Sequence, residues 1–194
     1  LAKKLDRRIM VRLVKGAYWD TEIKRAQVMG LSGYPVFTRK ANTDVSYLAC
    51  ARKLLSMTDR IYPQFASHNA HTAAAILSMA KDRDSFEFQR LHGMGEQLHE
   101  AIRKAEGTRC RIYAPVGAHA DLLAYLVRRL LENGANSSFV HQLTDDAVPP
   151  QMIARDPLEI VETQGSVANP NIPRPQDIFG NGRLNAKGWD ITDA

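Results

Sequence analysis

The sequence predicts an α/β fold of parallel βα units, the second half of a (β/α)8 TIM-like barrel, followed by an irregular Pro-rich linker. Three observations carry this. Short extended segments alternate with amphipathic helical ones through the first three-quarters of the 194 residues. The alternation repeats about four times, as βα units do. Prolines crowd the end, at Pro149, Pro150, Pro157, Pro170, Pro173 and Pro175, where the apolar periodicity fades. A complete barrel takes about 250 residues, so roughly half of one is expected here, with the other half upstream. Four strands would also suit a small doubly wound fold, but its GxGxxG fingerprint after the first strand is absent, and Gly93-Met94-Gly95-Glu96 is too short a match.

Four strands are expected over residues 9–14, 61–66, 86–91 and 110–115, with a weaker extended piece at 36–40. Helices are expected over 20–29, 43–57, 69–81, 95–105 and 119–133. Asp20, Thr43 and Asn69 are the residue types that accept hydrogen bonds at helix N-termini. Asn133-Gly134 is a helix-stop signal. The opening Leu1-Ala2-Lys3-Lys4 reads as the interior of a helix. The division expected is 1–145 for the barrel part and 146–194 for the linker.

With 44% apolar and 24% charged residues the chain can bury a core. A net charge of +5 suits anions, but no run of Lys and Arg is long enough to form a nucleic-acid-binding arm. Cys50 and Cys110 lie in separate apolar stretches without CxxC spacing, so buried free thiols are expected rather than a disulfide or metal site. No signal peptide opens the chain and no apolar run approaches the ~18 residues of a membrane span, so a cytoplasmic protein is expected.

Barrel chemistry gathers at the C-terminal ends of strands and in the loops that follow. Those positions are polar or aromatic here: Lys15-Gly16-Ala17-Tyr18-Trp19, then Ser67-His68-Asn69, then Gln89-Arg90-Leu91-His92-Gly93, and Tyr113. Arg12 and Lys15, three apart, fall on opposite faces of a regular strand. An inward Arg needs an anion or a cofactor acceptor, or else is a satisfied core residue. On helix 119–133, Leu122, Leu123, Leu126, Val127, Leu130 and Leu131 form a broad apolar face. Tyr125, Arg128, Arg129, Glu132 and Asp121 share the remaining stripe. That stripe is either a solvated face with Glu132 paired to Arg128, or a carboxylate clamp over a barrel mouth. His68 and His71 have metal-like spacing but no third ligand nearby, so no metal is expected. No nucleophile elbow is present.

The segment Val11-Arg12-Leu13-Val14-Lys15-Gly16-Ala17-Tyr18-Trp19-Asp20 resembles the flavin-contacting strand of bacterial proline dehydrogenases. YPVFTRKANTDVSYLACA, YPQFASHNAH, FEFQRLHGMGE, RIYAPVGAH and LLAYLVRRLLENGANSSFV extend the likeness, in family order, over residues 9–142. The tail, from Asn171-Ile172-Pro173-Arg174-Pro175 through Gly180-Asn181-Gly182-Arg183-Leu184-Asn185, is similar to the connector toward the aldehyde dehydrogenase domain of bifunctional proline utilization enzymes. That domain, the one that would use NAD, is not in these residues.

The resemblance implies FAD-dependent oxidation of L-proline to pyrroline-5-carboxylate, with hydride passing to flavin N5 and electrons onward to a membrane quinone. It further implies that Arg128 and Arg129 clamp the proline carboxylate, that Glu132 orients them, and that Tyr113, Tyr125, Leu91 and Tyr18 shape the pocket. For FAD it implies Arg12, Val14, Lys15, Gly16, Ala17, Tyr18, Trp19, Thr38, Arg39, Lys40, His68, Gln89, Ser138 and Phe139, with Arg12 near flavin N5 tuning the reduced ring. The family also uses a Lys and an Asp from early strands, and a flavin-contacting Gln. The chain alone is therefore expected to be incomplete, with the rest of the barrel and the aldehyde dehydrogenase domain as its partners. The resemblance implies peripheral association with the inner membrane during turnover, homo-oligomers, and DNA binding only if an upstream repressor segment exists. Two other readings compete: a Schiff-base aldolase using Lys15 or Lys40, and a basic nucleic-acid-binding module with steep salt dependence.

Overall fold

The computed structural model describes residues 1–16, 18–134 and 149–189. The expected boundary near residue 145 and the flavin-contact candidates Ala17, Ser138 and Phe139 lie outside them. The chain divides into two compact units, one of residues 1–15 with 46–156, the other of 16–45 with 157 onward.

The first unit is built on four parallel strands, β1 (Ile9–Leu13), β2 (Ile61–Ala66), β3 (Glu87–Leu91) and β4 (Arg109–Tyr113), in the spatial order β1-β2-β3-β4. Each strand therefore lies beside its predecessor in sequence. A doubly wound sheet reverses strand order at a switch point, so this consecutive order sides with the barrel. The register pairs Arg12 with Gln64, Gln64 with Glu87, Gln89 with Arg111 and Leu91 with Tyr113. Because side chains alternate along a strand, these polar residues share one face of the sheet.

The other face is apolar, and helices cover it. Of the helices in chain order, α1 (Ala2–Leu5), α4 (Ala70–Met79), α5 (Glu96–Glu106), α6 (His119–Gly134) and α7 (Pro150–Ile153) belong to this unit, as does the C-terminal part of α3 (Lys40–Leu55). Phe65 and Phe88 project from the strands and join Phe86, Tyr47, Ala51, Ala73, Ile76 and Ile102 in the core. Phe86 meets Phe65 at 5.6 Å and Phe88 at 5.4 Å between ring centroids, both edge to face. Edge-to-face rings gain stability beyond the area they bury.

In the second unit, α2 (Trp19–Met29) buries Ile23 and Ala26. The Pro-rich tail is irregular apart from α8 (Pro157–Thr163) and two short 3-10 turns, but it is firmly held. Tyr34 Oη donates to the carbonyl of Pro173 at 2.7 Å, and Asn185 Nδ2 to the carbonyls of Gln27 and Pro175 at 2.7 and 3.0 Å. Asn42 Nδ2 donates to the carbonyl of Val167 at 2.9 Å. Gly30 and Gly188 let two backbone segments touch, since a Cβ on either would collide with the carbonyl of Ala186 or Met29.

Several local expectations are corrected. Residues 36–40 form no strand; they bend into α3, which starts at Lys40. Asp20 and Thr43 lie inside helices, and Tyr18 occupies the N-cap of α2, its side chain not capping the helix. Asn69 does cap α4, its side chain accepting from the Thr72 N–H at 3.0 Å. Both cysteines are free thiols, but Cys50 is exposed on α3 and Cys110 only half-buried.

Candidate active site

The polar face of the sheet carries a continuous hydrogen-bonded row across all four strands. Arg12 Nε donates to Gln89 Oε1 at 2.8 Å, and the Gln89 amide donates from Nε2 to Glu87 Oε1 at 2.9 Å. Glu87 Oε1 also accepts from Gln64 Nε2 at 2.8 Å and from Arg111 Nε at 2.6 Å, while its Oε2 accepts from Arg111 at 2.9 Å. Burial alone would raise the Glu87 carboxyl. The bonds from Arg111, Gln89 and Gln64, together with the Arg111 charge, outweigh burial and hold it below the usual carboxylate range.

The Arg12 guanidinium also lies 5.0 Å from the centroid of the Tyr113 ring. Among the described residues no carboxylate pairs with it. Lys15 goes the other way: its Nζ donates to Thr72 Oγ1 at 3.3 Å, on α4, and lies 5.2 Å from the Tyr47 ring of α3. The two cations therefore point to opposite sides, as their spacing requires. Val14 is exposed just beyond the strand.

At the C-terminal end of the sheet the row meets α6. Tyr125, Arg128 and Arg129 are half-buried, whereas Leu123, Leu126, Val127, Leu130 and Leu131 are exposed. Within the described residues α6 thus turns Tyr125, Arg128 and Arg129 of its polar stripe inward, while Asp121 and Glu132 stay exposed. Arg128 and Arg129 lie 5.9 and 5.1 Å from the Tyr125 ring centroid. Arg129 pairs with Glu132 at 2.8 Å, so the i,i+3 pair replaces the expected Glu132–Arg128 one. Arg129 Nε is buried with no hydrogen-bond partner among the described residues. Tyr113 completes the cluster. Burial raises its phenol above the ordinary value, with Arg12, Tyr125, Glu132 and Arg129 near enough to act on it, so at neutral pH it is an un-ionised hydroxyl. Leu91 is buried beside it.

His68 sits behind this cluster. Its Nε2 accepts from the Leu91 N–H at 3.1 Å, which makes the ring neutral with its proton on Nδ1. Burial first, then His99, Arg129 and Arg90, push it down to about 4. His99 is buried edge-on to it, at 6.4 Å between ring centroids, and its Nε2 faces the carbonyl of Ser67 at 2.9 Å. Gly95, at φ 65°, permits this packing, since a Cβ there would come 2.9 Å from His68 Cδ2. Among the described residues no group of His, Cys, Asp or Glu could hold a metal ion.

The structure thus brings Arg12, Gln89, Leu91, Tyr113, Tyr125, Arg128, Arg129, Glu132 and His68 together at one end of the sheet. The remaining candidates, Gly16, Tyr18, Trp19, Thr38, Arg39 and Lys40, belong to the second unit. There Trp19 Nε1 donates to the carbonyl of Phe37 at 2.8 Å, Arg39 Nε to that of Ala168 at 3.1 Å, and Thr38 Oγ1 accepts from the Asn169 N–H at 2.9 Å. Lys40 holds its ammonium 2.7 Å from Asp44, which disfavours it as an imine-forming amine. Reading the motifs alone missed Glu87, Gln64 and Arg111. The signal was the alternation of Phe86-Glu87-Phe88-Gln89, which puts two polar residues on the face opposite two phenylalanines.

The donor set fits a flavin on physical grounds. A cation without a carboxylate partner among the described residues, fixed by a neutral amide and an aromatic ring, suits a flat cofactor that becomes anionic on reduction.

The chain also resembles known proteins. The proline dehydrogenase family model matches residues 1–142. The chain is 56% identical to the bifunctional protein PutA of Salmonella typhimurium and 55% identical to that of Escherichia coli, in both cases over all of its own length and 16% of the relative's. It is 33% identical to proline dehydrogenase 2 of Bacillus subtilis, over 66% of this chain and 39% of that one. Among solved structures, a mutant of Bradyrhizobium japonicum proline utilization A superposes with a TM-score of 0.91 at 59% identity, covering 96% of this chain and 19% of that one. Bdellovibrio bacteriovorus proline utilization A inactivated by N-propargylglycine gives 0.78 at 40% identity, covering 89% and 18%.

Proposed function

The chain belongs to the proline dehydrogenase family, and from that premise we propose that it is part of a bifunctional enzyme that oxidises L-proline to pyrroline-5-carboxylate. The observation that carries this is the inward part of the polar stripe of α6. Arg128 and Arg129, both near the Tyr125 ring and Arg129 paired with Glu132, can take a carboxylate in the planar, bidentate manner that Arg favours. Leu91, Tyr125 and the un-ionised Tyr113 offer a wall for a saturated ring. Bound beside Arg12 and Gln89, FAD would supply the hydride acceptor. Arg12 would favour the negative charge of the reduced ring, and His68, neutral and engaged with the Leu91 amide, would hold the strand end in place.

The electrons then pass to a quinone, which has the protein working in the cytoplasm and against the inner membrane. Among the described residues no helix is long and apolar enough to cross a membrane. The tail after residue 145 leads toward an aldehyde dehydrogenase domain. Early-strand residues of the family complete the pocket.

The test uses the full-length protein. Its flavin absorbance should bleach on anaerobic addition of proline. Arg12→Met should keep the fold and lower turnover by about 10²-fold or more, the scale on which one preorganised electrostatic contact acts. Unchanged kinetics would remove Arg12 from the site, and a colourless protein that traps substrate with borohydride through Lys15 would replace the proposal with the imine reading.

A further inference from the structure

We propose that Glu87 is a positioning residue for the cofactor side of this site, fixing which end of the Gln89 amide faces Arg12. The inference rests on the functional reading above. An amide side chain can present either its oxygen or its NH2 in nearly the same space, and only its partners decide which. Here Glu87, only 4% exposed, accepts from Gln89 Nε2 at 2.9 Å. A carboxylate is purely an acceptor, so the NH2 end is committed to it, and Oε1 is left to accept from Arg12 Nε at 2.8 Å. Without that commitment the amide could turn and set a donor against the guanidinium, which has no acceptor capacity of its own.

The relay is anchored at its far end. Arg111 forks onto both carboxylate oxygens and Gln64 takes a third bond, so Glu87 has little freedom to rotate away from Gln89. Arg111 comes from β4, at the end of the row opposite Arg12, and is 55% exposed. Glu87 pairs in register with Gln64 and Arg109, one step before the Gln89–Arg111 pair. It therefore lies below the strand end where ligands gather and acts through Gln89.

An ordinary buried ion pair would stabilise the sheet and do nothing else. The two roles separate in the full-length holoenzyme. Replacing both partners, Glu87→Leu with Arg111→Leu, leaves no orphaned charge and tends to preserve the fold. Gln89→Leu cuts the relay one step later.

Both variants should lower kcat about tenfold and make the potential of the bound flavin more negative by about 30 mV, the two-electron equivalent of a tenfold change. KM for proline should stay within about twofold, since the α6 arginines are untouched. Adding the paired change to Gln89→Leu should cause no further shift, as residues acting through one link are not additive. Loss of thermal stability with potential and kcat unchanged in the paired variant would overturn the proposal. So would Gln89→Leu, folded and flavin-loaded, with the wild-type potential. A wild-type holoenzyme whose flavin proline does not reduce would refute the functional reading instead.

Discussion

Gly95 and Gly107 bracket α5 and have nearly the same backbone, φ 65° and 67°, but their surroundings differ. A Cβ on Gly107 would meet nothing within 4 Å, whereas one on Gly95 would lie 2.9 Å from His68 Cδ2 and 3.4 Å from His99 Cδ2. Gly107→Ala should therefore cost only the left-handed strain of a residue with a Cβ, about 1–2 kcal/mol. Gly95→Ala should cost that and more. His68 cannot yield without losing its bond from the Leu91 amide, and a buried group left unpaired costs about 1–3 kcal/mol. The expected difference between the two variants is thus about 1–3 kcal/mol, with the backbone contribution cancelled. Native-state hydrogen exchange of the β3 peptide in the full-length protein reads it directly, because the Leu91 amide is the group His68 protects. Equal losses in both variants, with Leu91 protection unchanged, would refute the packing argument.

A second prediction concerns pH. His68 titrates near 6.5 when unfolded but near 4 when folded, so between those values the unfolded chain holds more protons and stability rises with pH. The contribution, on the order of 2 kcal/mol for this partly buried ring, is complete above about 6.5 and drains away toward 4. His68→Gln should flatten that part of the stability profile, and an unchanged slope would assign it to other groups. Third, Phe88→Ala should destabilise the first unit by about 3–5 kcal/mol, since Phe88 is fully buried against Phe86 and His99; urea unfolding followed by exchange in β2 and β3 measures it.

The strands were legible as short extended segments set between amphipathic helical ones, and in Phe86-Glu87-Phe88-Gln89 the two faces alternate as well. Helix starts were less so. Asp20 and Thr43 have capping side chains, yet helices begin ahead of them, at Trp19 and Lys40, because neighbouring structure outweighs a local preference. The stripe on α6 was visible as composition, but which face turns inward depends on the strand ends it meets, and no window of the helix holds that information. The same limit hid the Arg129–Glu132 pair, the exposure of Cys50 and the docking of the Pro-rich tail onto residues 16–45. Glu87 escaped notice because its partners come from three strands spread over about fifty residues, and only the register brings them together.

The consecutive order of the strands has a consequence for synthesis. In a sheet whose neighbours in space are neighbours in sequence, each new βα unit can dock onto the one just made, so assembly can keep pace with a ribosome adding about 5–20 residues per second. The site would then be delivered in instalments, Arg12 first, then Gln64, then Glu87 with Gln89, then Arg111 and Tyr113. The arginines of α6 arrive last of these, so a nascent chain can complete the hydrogen-bonded row of the sheet before Arg128 and Arg129 reach it.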